Sequence, residues 1–386
     1  MEVQLKTGQG EHVIGRQGLP GLAAHKLRTY LDLLPLKLYR GYRGTPWGVS
    51  WLPNGLGARL EKSSPDLVHL HWGCCGFVPL TAVAAIRQPV VWTMHDSWVF
   101  TGGCNIPGDC LRYREGCGCC PQLGSASQQD LSSWELRRKA RVWRHANLTM
   151  VAPSRWMAAC ARSSSLLRGM RIEVIPNGLD LGRYQPVDKG AARDLLGLPR
   201  GKKLILFGAS VVADRNKGFQ LLRRAVAGMD SGLRDRVDMV VFGSSSPSDL
   251  EGTGVTLHDL GRLHDDVSLQ LAYGAADVIC VPSLLESFGQ TATEAMACAT
   301  PVVAFAATGL LDIVDHGVNG YLATPYDCED LAAGLKWALG GEVDPLALGR
   351  AAREKAEREF AMEIVARKHL ALYRELLASR LDSKGE

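Results

Sequence analysis

Short apolar runs with a strong β preference alternate with longer amphipathic stretches along most of the chain. Helical periodicity fills the intervals, as over Trp134–His145 and Phe219–Gly228. Nearly continuous apolar strands separated by helices are typical of parallel sheets covered on both faces, so the pattern predicts a doubly wound α/β fold. The predicted strands are Leu67–His71, Val90–Met94, Leu148–Ala152, Ile172–Ile175, Leu204–Phe207, Val237–Phe242, Val278–Val281 and Pro301–Phe305.

The chain length predicts two such domains. It has 386 residues, and single hydrophobic cores seldom grow past about 250–300 residues. Pro, Gly and Asn cluster in PNGLDLGRYQP, residues 176–186, which indicates a boundary there. We therefore expect an N-terminal domain over 1–180, a C-terminal domain over 181–361 and a closing C-terminal helix over 362–386.

The first 60 residues show no clear opening strand. Glycines interrupt the beginning of the chain, Gly8 and Gly10 among them. The following stretch, His25–Arg43, is basic and apolar and is interrupted by Pro35. This composition more often belongs to a surface helix docked on its own domain, and the alternative is an interfacial segment at a membrane.

Charge and hydropathy narrow the function classes. No apolar run reaches the ~20 residues that span a bilayer, and Met1–Gly10 is too polar to open a signal peptide, so we expect a cytoplasmic protein. Residues 1–180 carry a net charge of +9 and the remainder carries −5. The basic half fits ordinary surface charge, and it also fits attraction to an anionic membrane or a phosphorylated acceptor. No nucleic-acid-binding motif accompanies the charge, so we expect no nucleic acid partner.

The strongest chemical signal is the segment DVICVPSLLESFGQTATEAMACATPVVAF, residues 277–305. It predicts a strand, a turn over Ser283–Gly289 and a helix that begins near Gln290. The free N–H groups at the start of that helix attract anions, and Gly289 lets the backbone approach a phosphate closely.

Two carboxylates frame this turn. Glu286 precedes the helix and would face a sugar, whereas Glu294 lies on the second helical turn and would accept hydrogen bonds from ribose hydroxyls. The alternative for both is an ordinary role as helix-capping and dipole-compensating charges.

A second candidate element is LILFGASVVADRNKG, residues 204–218. It predicts a strand entering a turn that contains Gly208, followed by Arg215 and Lys217. Cations at this position would stabilise the phosphate charge of a departing nucleoside diphosphate. The alternative is that both are solvated loop charges.

The N-terminal half contributes HLHW, residues 69–72, and WTMHDSW, residues 92–98. His71, His95 and Asp96 follow predicted strands, and α/β sheets bind ligands at the carboxyl ends of their strands. His95 would hydrogen-bond a donor hydroxyl or phosphate; the alternative is a satisfied structural histidine.

The chain has eleven cysteines, five of them in a loop over residues 101–123. The spacing C-x5-C-x6-C-x2-C, with one further cysteine at Cys119, permits a structural zinc site. Reduced unliganded thiols and a disulfide or redox pair are the other two interpretations, and a cytoplasmic location disfavours the last. The four candidate zinc ligands are Cys104, Cys110, Cys117 and Cys120.

The segment around Glu286 closely resembles the E-x7-E signature of family 4 retaining glycosyltransferases, in the form ESFGxxxxEAMAxxxPVVA. It departs at Ala299, where the family commonly has Gly. The resemblance implies the GT-B fold, in which two Rossmann-like doubly wound domains face a cleft. It also implies that Glu294 binds the nucleotide ribose and that Glu286 contacts the donor sugar. The diphosphate turn would be lined by Ser287, Phe288, Gly289 and Gln290.

The same resemblance bears on three other segments. It places Gly208, Arg215 and Lys217 beside the diphosphate and His95 near the donor. The cysteine-containing loop looks like that of the exopolysaccharide and colanic-acid-type branch. Family members open with a strand and a Gly-rich loop, and Met1–Tyr30 lacks that clear pattern. Either this first element is degenerate, or the chain starts inside the family's usual first domain.

The resemblance implies transfer of a hexose from a UDP- or GDP-sugar to a glycan or lipid-linked acceptor, with retention, in surface or exopolysaccharide biosynthesis. Glu286, His95 and Lys217 would be catalytic, and the absence of a DxD motif predicts no metal cofactor for catalysis. Peripheral contact with the inner face of the plasma membrane through the basic half stays open. Two alternatives also stay open: a sugar-nucleotide epimerase on the same scaffold, and a catalytically impaired protein that binds a sugar nucleotide or a partner.

Overall fold

The computed structural model describes residues 2–5, 14–16, 18–42, 44–73, 76–245 and 253–385. The chain forms two compact units. The first unit comprises Met1–Pro153, Met157–Val174 and Ala371–Glu386, and the second comprises Ser154–Trp156 and Ile175–Leu370. The division along the chain thus falls at Val174, and the end of the predicted closing helix is assigned to the first unit.

Two short strands open the chain, β1 (Glu2–Leu5) and β2 (Ile14–Arg16). They pair with each other in parallel, with an irregular register. A strand is thus present where the sequence shows none clearly, and the pair forms a sheet of its own. The strand was not evident in the sequence because EVQL is short and half polar. Gly8 and Gly10, in the segment where family members have the glycine-rich loop, lie outside the described residues.

The first unit is built on four parallel strands in sequential order: β3 (Val68–Leu70), β4 (Val90–Thr93), β5 (Leu148–Ala152) and β6 (Ile172–Val174). Its helices are α1 (Gly18–Asp32), α2 (Leu56–Ser63), α3 (Leu80–Ala85), α4 (Leu131–Trp143) and α5 (Arg155–Ser163), with 3₁₀ turns at Leu34–Leu38, Ser97–Phe100 and Arg112–Arg114.

The second unit is a six-stranded sheet in which every neighbouring pair is parallel. Its strands are β7 (Lys203–Val211), β8 (Val237–Ser244), β9 (Leu257–Asp259), β10 (Val278–Val281), β11 (Val302–Phe305) and β12 (Gly320–Ala323). The spatial order is β12-β11-β10-β7-β8-β9. Counted from β7, this is the doubly wound order 3-2-1-4-5-6, whose direction reverses between β7 and β10, where α/β sheets bind ligands.

Helices connect and follow these strands. They are α6 (Lys189–Leu195), α7 (Phe219–Ala227), α8 (Ser231–Arg234), α9 (Asp266–Ala275), α10 (Gln290–Ala297), α11 (Cys328–Leu339), α12 (Pro345–Lys355) and α13 (Met362–Gly385). Further turns are the 3₁₀ segments Arg215–Lys217 and Thr308–Asp312 and a π-helical turn at Ala356–Phe360. No helix in the described ranges is both long and apolar enough to cross a membrane.

The strands of the second unit are buried on both faces, as their uninterrupted apolar runs predict. Along β10, Ile279 and Val281 join one core cluster, whereas Val278 and Cys280 join the cluster on the opposite face. Side chains alternate between the faces of a strand, so two separate layers of helices must cover this sheet. The predicted α/β fold with two parallel sheets is confirmed.

Candidate functional site

The main candidate site lies where β7 and β10 end side by side. Lys217 closes the 3₁₀ turn after β7, and Glu286 lies in the loop after β10. The Lys217 Nζ is 2.7 Å from the Glu286 Oε1, with 31% and 13% of the two side chains exposed. The structure thus brings together two of the predicted catalytic residues at the point where the sheet changes direction.

Asn216, which sequence reasoning did not select, holds these two loops together. Its carbonyl accepts a hydrogen bond from the Leu284 N–H at 2.8 Å, and its side-chain amide donates to the Leu285 carbonyl at 2.8 Å. The next glycine, Gly218, has φ +73°, and a Cβ there would lie 1.9 Å from the Pro282 carbonyl oxygen. Only glycine therefore allows the Lys217 turn to approach the end of β10 this closely.

The backbone of Glu286 is fixed by a third loop. Its N–H donates to the Thr308 Oγ1 at 3.1 Å, and its carbonyl accepts from the Gly309 N–H at 2.9 Å. Thr308 has φ +56°, which is uncommon for a β-branched residue. Next along the chain, the Ser287 carbonyl accepts a hydrogen bond from the Ser154 hydroxyl at 2.7 Å. These hydrogen bonds fix the backbone that carries the Glu286 side chain.

The start of α10 has no side-chain cap. Gly289 is its N-terminal flanking residue, at φ +122°, and Gln290 begins the helix. The positive φ favours glycine at this position, and an added Cβ would also lie 2.9 Å from the side-chain ends of Leu310 and Ile313. Phe288 is buried and packs edge-on against Phe360, which leaves only its backbone for the predicted turn. An uncapped helix start supplies N–H groups and positive partial charge for an anion.

Glu294 lies on the second turn of α10, as predicted. Its Oε2 accepts a hydrogen bond from the Tyr273 hydroxyl at 2.6 Å, and the Gln290 side chain also hydrogen-bonds it. Burial raises the pKa of Glu294 above its ordinary value, against the lowering effect of these two hydrogen bonds. Tyr273 is fully buried and its pKa is raised well above 10, chiefly by burial, so the phenol stays protonated and donates. Tyr273 is therefore a positioning residue for Glu294.

One of the predicted donor contacts, Gly208, occupies a different setting from the one expected. Gly208 lies within β7 beside an irregularity in its register, rather than in a turn after the strand. A Cβ on it would lie 2.0 Å from the Phe242 ring, so close packing between neighbouring strands requires this glycine. Arg215 opens the Lys217 turn and is exposed.

The histidines lie in the first unit, after β3 and β4. The Nδ1 of His71 is 2.9 Å from the Nε2 of His95, and the rings stack with centroids 5.2 Å apart. Burial, with the nearby His71 second, lowers the pKa of His95 to about 4. His95 is therefore neutral near pH 7 and suits a hydrogen bond to a hydroxyl better than a charge contact with a phosphate.

Asp96 organises the loop beside this pair. Its carboxylate accepts hydrogen bonds from the Trp72 indole at 2.6 Å, the Asn105 amide at 2.8 Å and the Trp98 N–H at 2.8 Å. Burial raises the Asp96 pKa and these donors oppose that rise. Because its carboxylate accepts three hydrogen bonds, Asp96 has a structural role in shaping this loop.

The four predicted zinc ligands line one small cavity in the first unit. They are Cys104, Cys110, Cys117 and Cys120. As the side chains stand, no group of three or more His, Cys, Asp or Glu residues in the described part of the chain is arranged to hold a metal ion. The structure therefore brings the four thiols to one place without closing them around a common point.

Sequence reasoning missed Asn216, Gly218, Tyr273 and Thr308. The Asn-Lys-Gly sequence gave one usable signal, since a glycine after a short turn marks a left-handed or closely packed position. Tyr273 and Thr308 gave none, because they reach Glu294 and Glu286 only through tertiary packing.

Comparison with known proteins places this architecture. The family model "Glycosyl transferases group 1" matches residues 188–355, and the model "Glycosyltransferase Family 4" matches residues 11–183. A D-inositol 3-phosphate glycosyltransferase from Nocardioides sp. is 34% identical over 344 residues, covering 82% of this chain and 69% of the relative. Another, from Saccharomonospora viridis, is 38% identical over 225 residues, covering 54% and 51%.

Solved structures agree on the fold. Sucrose-phosphate synthase from Thermosynechococcus elongatus superposes with a TM-score of 0.65 at 26% identity, covering 83% of this chain and 76% of that one. Anabaena HepE in complex with UDP-glucose gives 0.60 at 21% identity, covering 86% and 84%. The chain belongs to the GT-B glycosyltransferases of the group 1 and family 4 kind. It spans about half the length of the first curated relatives that it matches.

Proposed function

We propose that this protein transfers a hexose from a nucleoside-diphosphate sugar to an acceptor hydroxyl. The observation that carries the proposal is the Lys217–Glu286 pair, 2.7 Å apart, at the reversal point of a doubly wound sheet, with the uncapped start of α10 following Glu286 in the same loop. An ammonium group and helix-start N–H groups suit a diphosphate, and a carboxylate beside them suits sugar hydroxyls.

The nucleotide would be held through its ribose by Glu294. Its carboxylate is already oriented by Tyr273, so little ordering is required when two ribose hydroxyls bind. The Gln290 amide and the backbone of Ser287 to Gly289 would contact the phosphates. We assign no base preference, so UDP- and GDP-sugars are both candidate donors.

The chemical step would rest on charge stabilisation. As the bond between the anomeric carbon and the diphosphate breaks, negative charge grows on the leaving oxygen, and Lys217 and the start of α10 would stabilise it. We propose substitution on the same face of the sugar through an oxocarbenium-like state, with the departing phosphate accepting the proton of the acceptor hydroxyl. His95 would add a neutral hydrogen bond to a donor hydroxyl.

The acceptor has two candidate classes. A phosphorylated polyol is favoured by the names of the relatives, which are D-inositol 3-phosphate glycosyltransferases. A glycan or lipid-linked acceptor of exopolysaccharide synthesis is favoured by the cysteine-loop resemblance. A lipid-linked acceptor would also fit peripheral membrane contact through the exposed Leu27, Tyr30 and Leu38, near the cations Lys26 and Lys37. A cytoplasmic location remains a prediction.

The test is acceptor-dependent release of nucleoside diphosphate. Purified protein would be incubated with UDP- and GDP-hexoses, with and without inositol phosphate or a lipid-linked glycan, and the products separated by mass and anomeric configuration. We expect release that requires an acceptor and gives a product that retains the donor configuration. Isomerised donor without an acceptor would indicate the epimerase, and donor binding without any turnover would indicate the impaired binding protein.

A further inference from the structure

A cavity of about 20 Å³ lies in the cysteine-rich loop of the first unit. Its wall includes four of the chain's cysteines: Cys104, Cys110, Cys117 and Cys120. A space of this size holds one ion or one water molecule. Cys119, in the same turn, does not line it; its sulfur lies 3.1 Å from the Ala126 carbonyl oxygen.

The turn that carries two of these thiols has an unusual backbone. Gly116, Cys117, Gly118 and Cys119 all have positive φ, at 137°, 61°, 97° and 43°. For the two cysteines this conformation costs free energy, and it persists only where the surroundings impose it. A turn of this kind directs the side chains of Cys117 and Cys120 toward one cavity.

Backbone N–H groups point at the sulfurs. The amides of Gln122 and Leu123 hydrogen-bond the Cys120 sulfur, and the amide of Gly102 hydrogen-bonds that of Cys117. Burial raises the pKa of both thiols, and these donors oppose that rise in part.

The frame around the loop is anchored to α4. The Asp130 carboxylate accepts the Cys120 N–H at 2.8 Å, and the Ser132 hydroxyl accepts the Gly118 N–H at 2.9 Å. Lys139 on the same helix is fully buried, donates to the Thr101 carbonyl at 3.1 Å and acts electrostatically on Cys117. A buried cation here offsets part of the negative charge that four thiolates around Zn²⁺ would carry.

We propose that this cavity is a structural zinc site with Cys104, Cys110, Cys117 and Cys120 as its four ligands. The thiols close on the ion by turning about their side-chain bonds, and each gives up its proton to solvent as its bond to zinc forms. Four thiolates satisfy tetrahedral Zn²⁺ with no open position, so the ion has no part in turnover.

The bound ion would fasten a loop that has little apolar core. The local cluster contains Trp47, Leu36, Val49, Leu123 and Cys120 itself. Trp47 forms an isolated β-bridge with Cys104, so the metal site and this core share a strand contact. The loop also supplies Asn105 to Asp96, which lies beside His95.

Elemental analysis of the full chain, purified without chelator and without a histidine tag, tests the proposal. We expect about one zinc per chain in the wild type and in the control Cys119→Ser, and a loss of zinc in Cys110→Ser and Cys117→Ser. Folded, metal-free wild-type protein would overturn the proposal, as would iron in place of zinc.

The reactivity of the thiols in the wild-type protein is a second measurement, which does not require the ligand variants to fold. With zinc bound, the four cavity thiols should resist an aromatic disulfide reagent. A mercurial, which binds the sulfurs in place of the zinc, should release the zinc to a colorimetric chelator. Free reaction of these thiols in the folded protein, or a disulfide between any two of them in the non-reduced mass spectrum, would contradict zinc ligation. Neither measurement depends on the transferase activity.

Discussion

Lys217→Met is the most informative single change at the proposed donor site. It removes the ammonium while keeping a flexible side chain of similar length. In the wild type the Lys217 Nζ contacts Glu286 at 2.7 Å, so an incoming diphosphate competes with a carboxylate for the same cation. In the variant the diphosphate loses its cation and also meets the Glu286 charge without compensation.

The structure sets the size of the expected effect. Lys217 is 31% exposed, so its charge is only partly screened by solvent. A hydrogen bond to a charged group contributes about 1.5–3 kcal/mol, and every 1.4 kcal/mol corresponds to a factor of about ten in affinity. We therefore expect Lys217→Met to weaken binding of the nucleoside diphosphate roughly 10- to 150-fold.

The companion variant Glu286→Gln should act in the opposite direction on the free nucleotide. Without the carboxylate, Lys217 is available to phosphate and a repulsive charge is gone, so affinity for UDP or GDP should rise while turnover of the sugar donor falls. Isothermal titration with nucleotide and with nucleotide sugar measures both, and Lys336→Met on the exposed face of α11 is the matched control. Equal loss of nucleotide affinity in both variants would refute the assignment of phosphate to Lys217 and sugar to Glu286.

Three further predictions concern the ribose contact, the close approach at Gly218 and the pH dependence of stability. Glu294→Gln should weaken nucleotide affinity about 10-fold or more, and Tyr273→Phe only a few-fold, because the phenol orients the carboxylate without touching the ligand. Titration calorimetry measures both affinities, with Glu329→Gln as the control. Unchanged affinity in Glu294→Gln would contradict the ribose assignment. In denaturant titrations, Gly218→Ala should lower the free energy of unfolding by about 2 kcal/mol more than Gly197→Ala does. Both positions have positive φ, but only at Gly218 would the added Cβ lie 1.9 Å from a carbonyl oxygen. Equal losses in the two variants would contradict this contact. The pKa of His95 falls from 6.5 to about 4 on folding, so the unfolded chain binds that proton first as the pH drops. The free energy of unfolding should therefore be highest above pH 6.5 and decline by about 3 kcal/mol toward pH 4. His95→Gln should flatten this pH profile, and an unchanged slope in the variant would argue against the shift.

The sequence carried enough information for the fold class and for the core of the candidate site. The strands β5 and β10 have the predicted bounds, because their apolar runs are uninterrupted and end at clear turn residues. The edge strands β9 and β12 were missed, since each is short and has only one neighbour to cover it. The family resemblance placed Lys217 beside the diphosphate and Glu286 beside the donor sugar, and the two side chains do meet.

Other features depend on three-dimensional packing that periodicity does not encode. Gly208 was predicted in a turn, but it lies within β7, where an added Cβ would be 2.0 Å from the Phe242 ring. Tyr273 reaches Glu294 from a different helix, and no local spacing marks that pair. Phe288 resembles a ligand-facing residue of its motif, yet its ring is used by the core.

A crystal structure of the chain with a bound nucleoside diphosphate tests the central claim most directly. We expect ribose hydroxyls within hydrogen-bond distance of the Glu294 carboxylate, and phosphate oxygens at the Gln290 N–H and the Lys217 ammonium. A nucleotide bound elsewhere, with the Lys217–Glu286 contact intact and the start of α10 covered by protein, would contradict it.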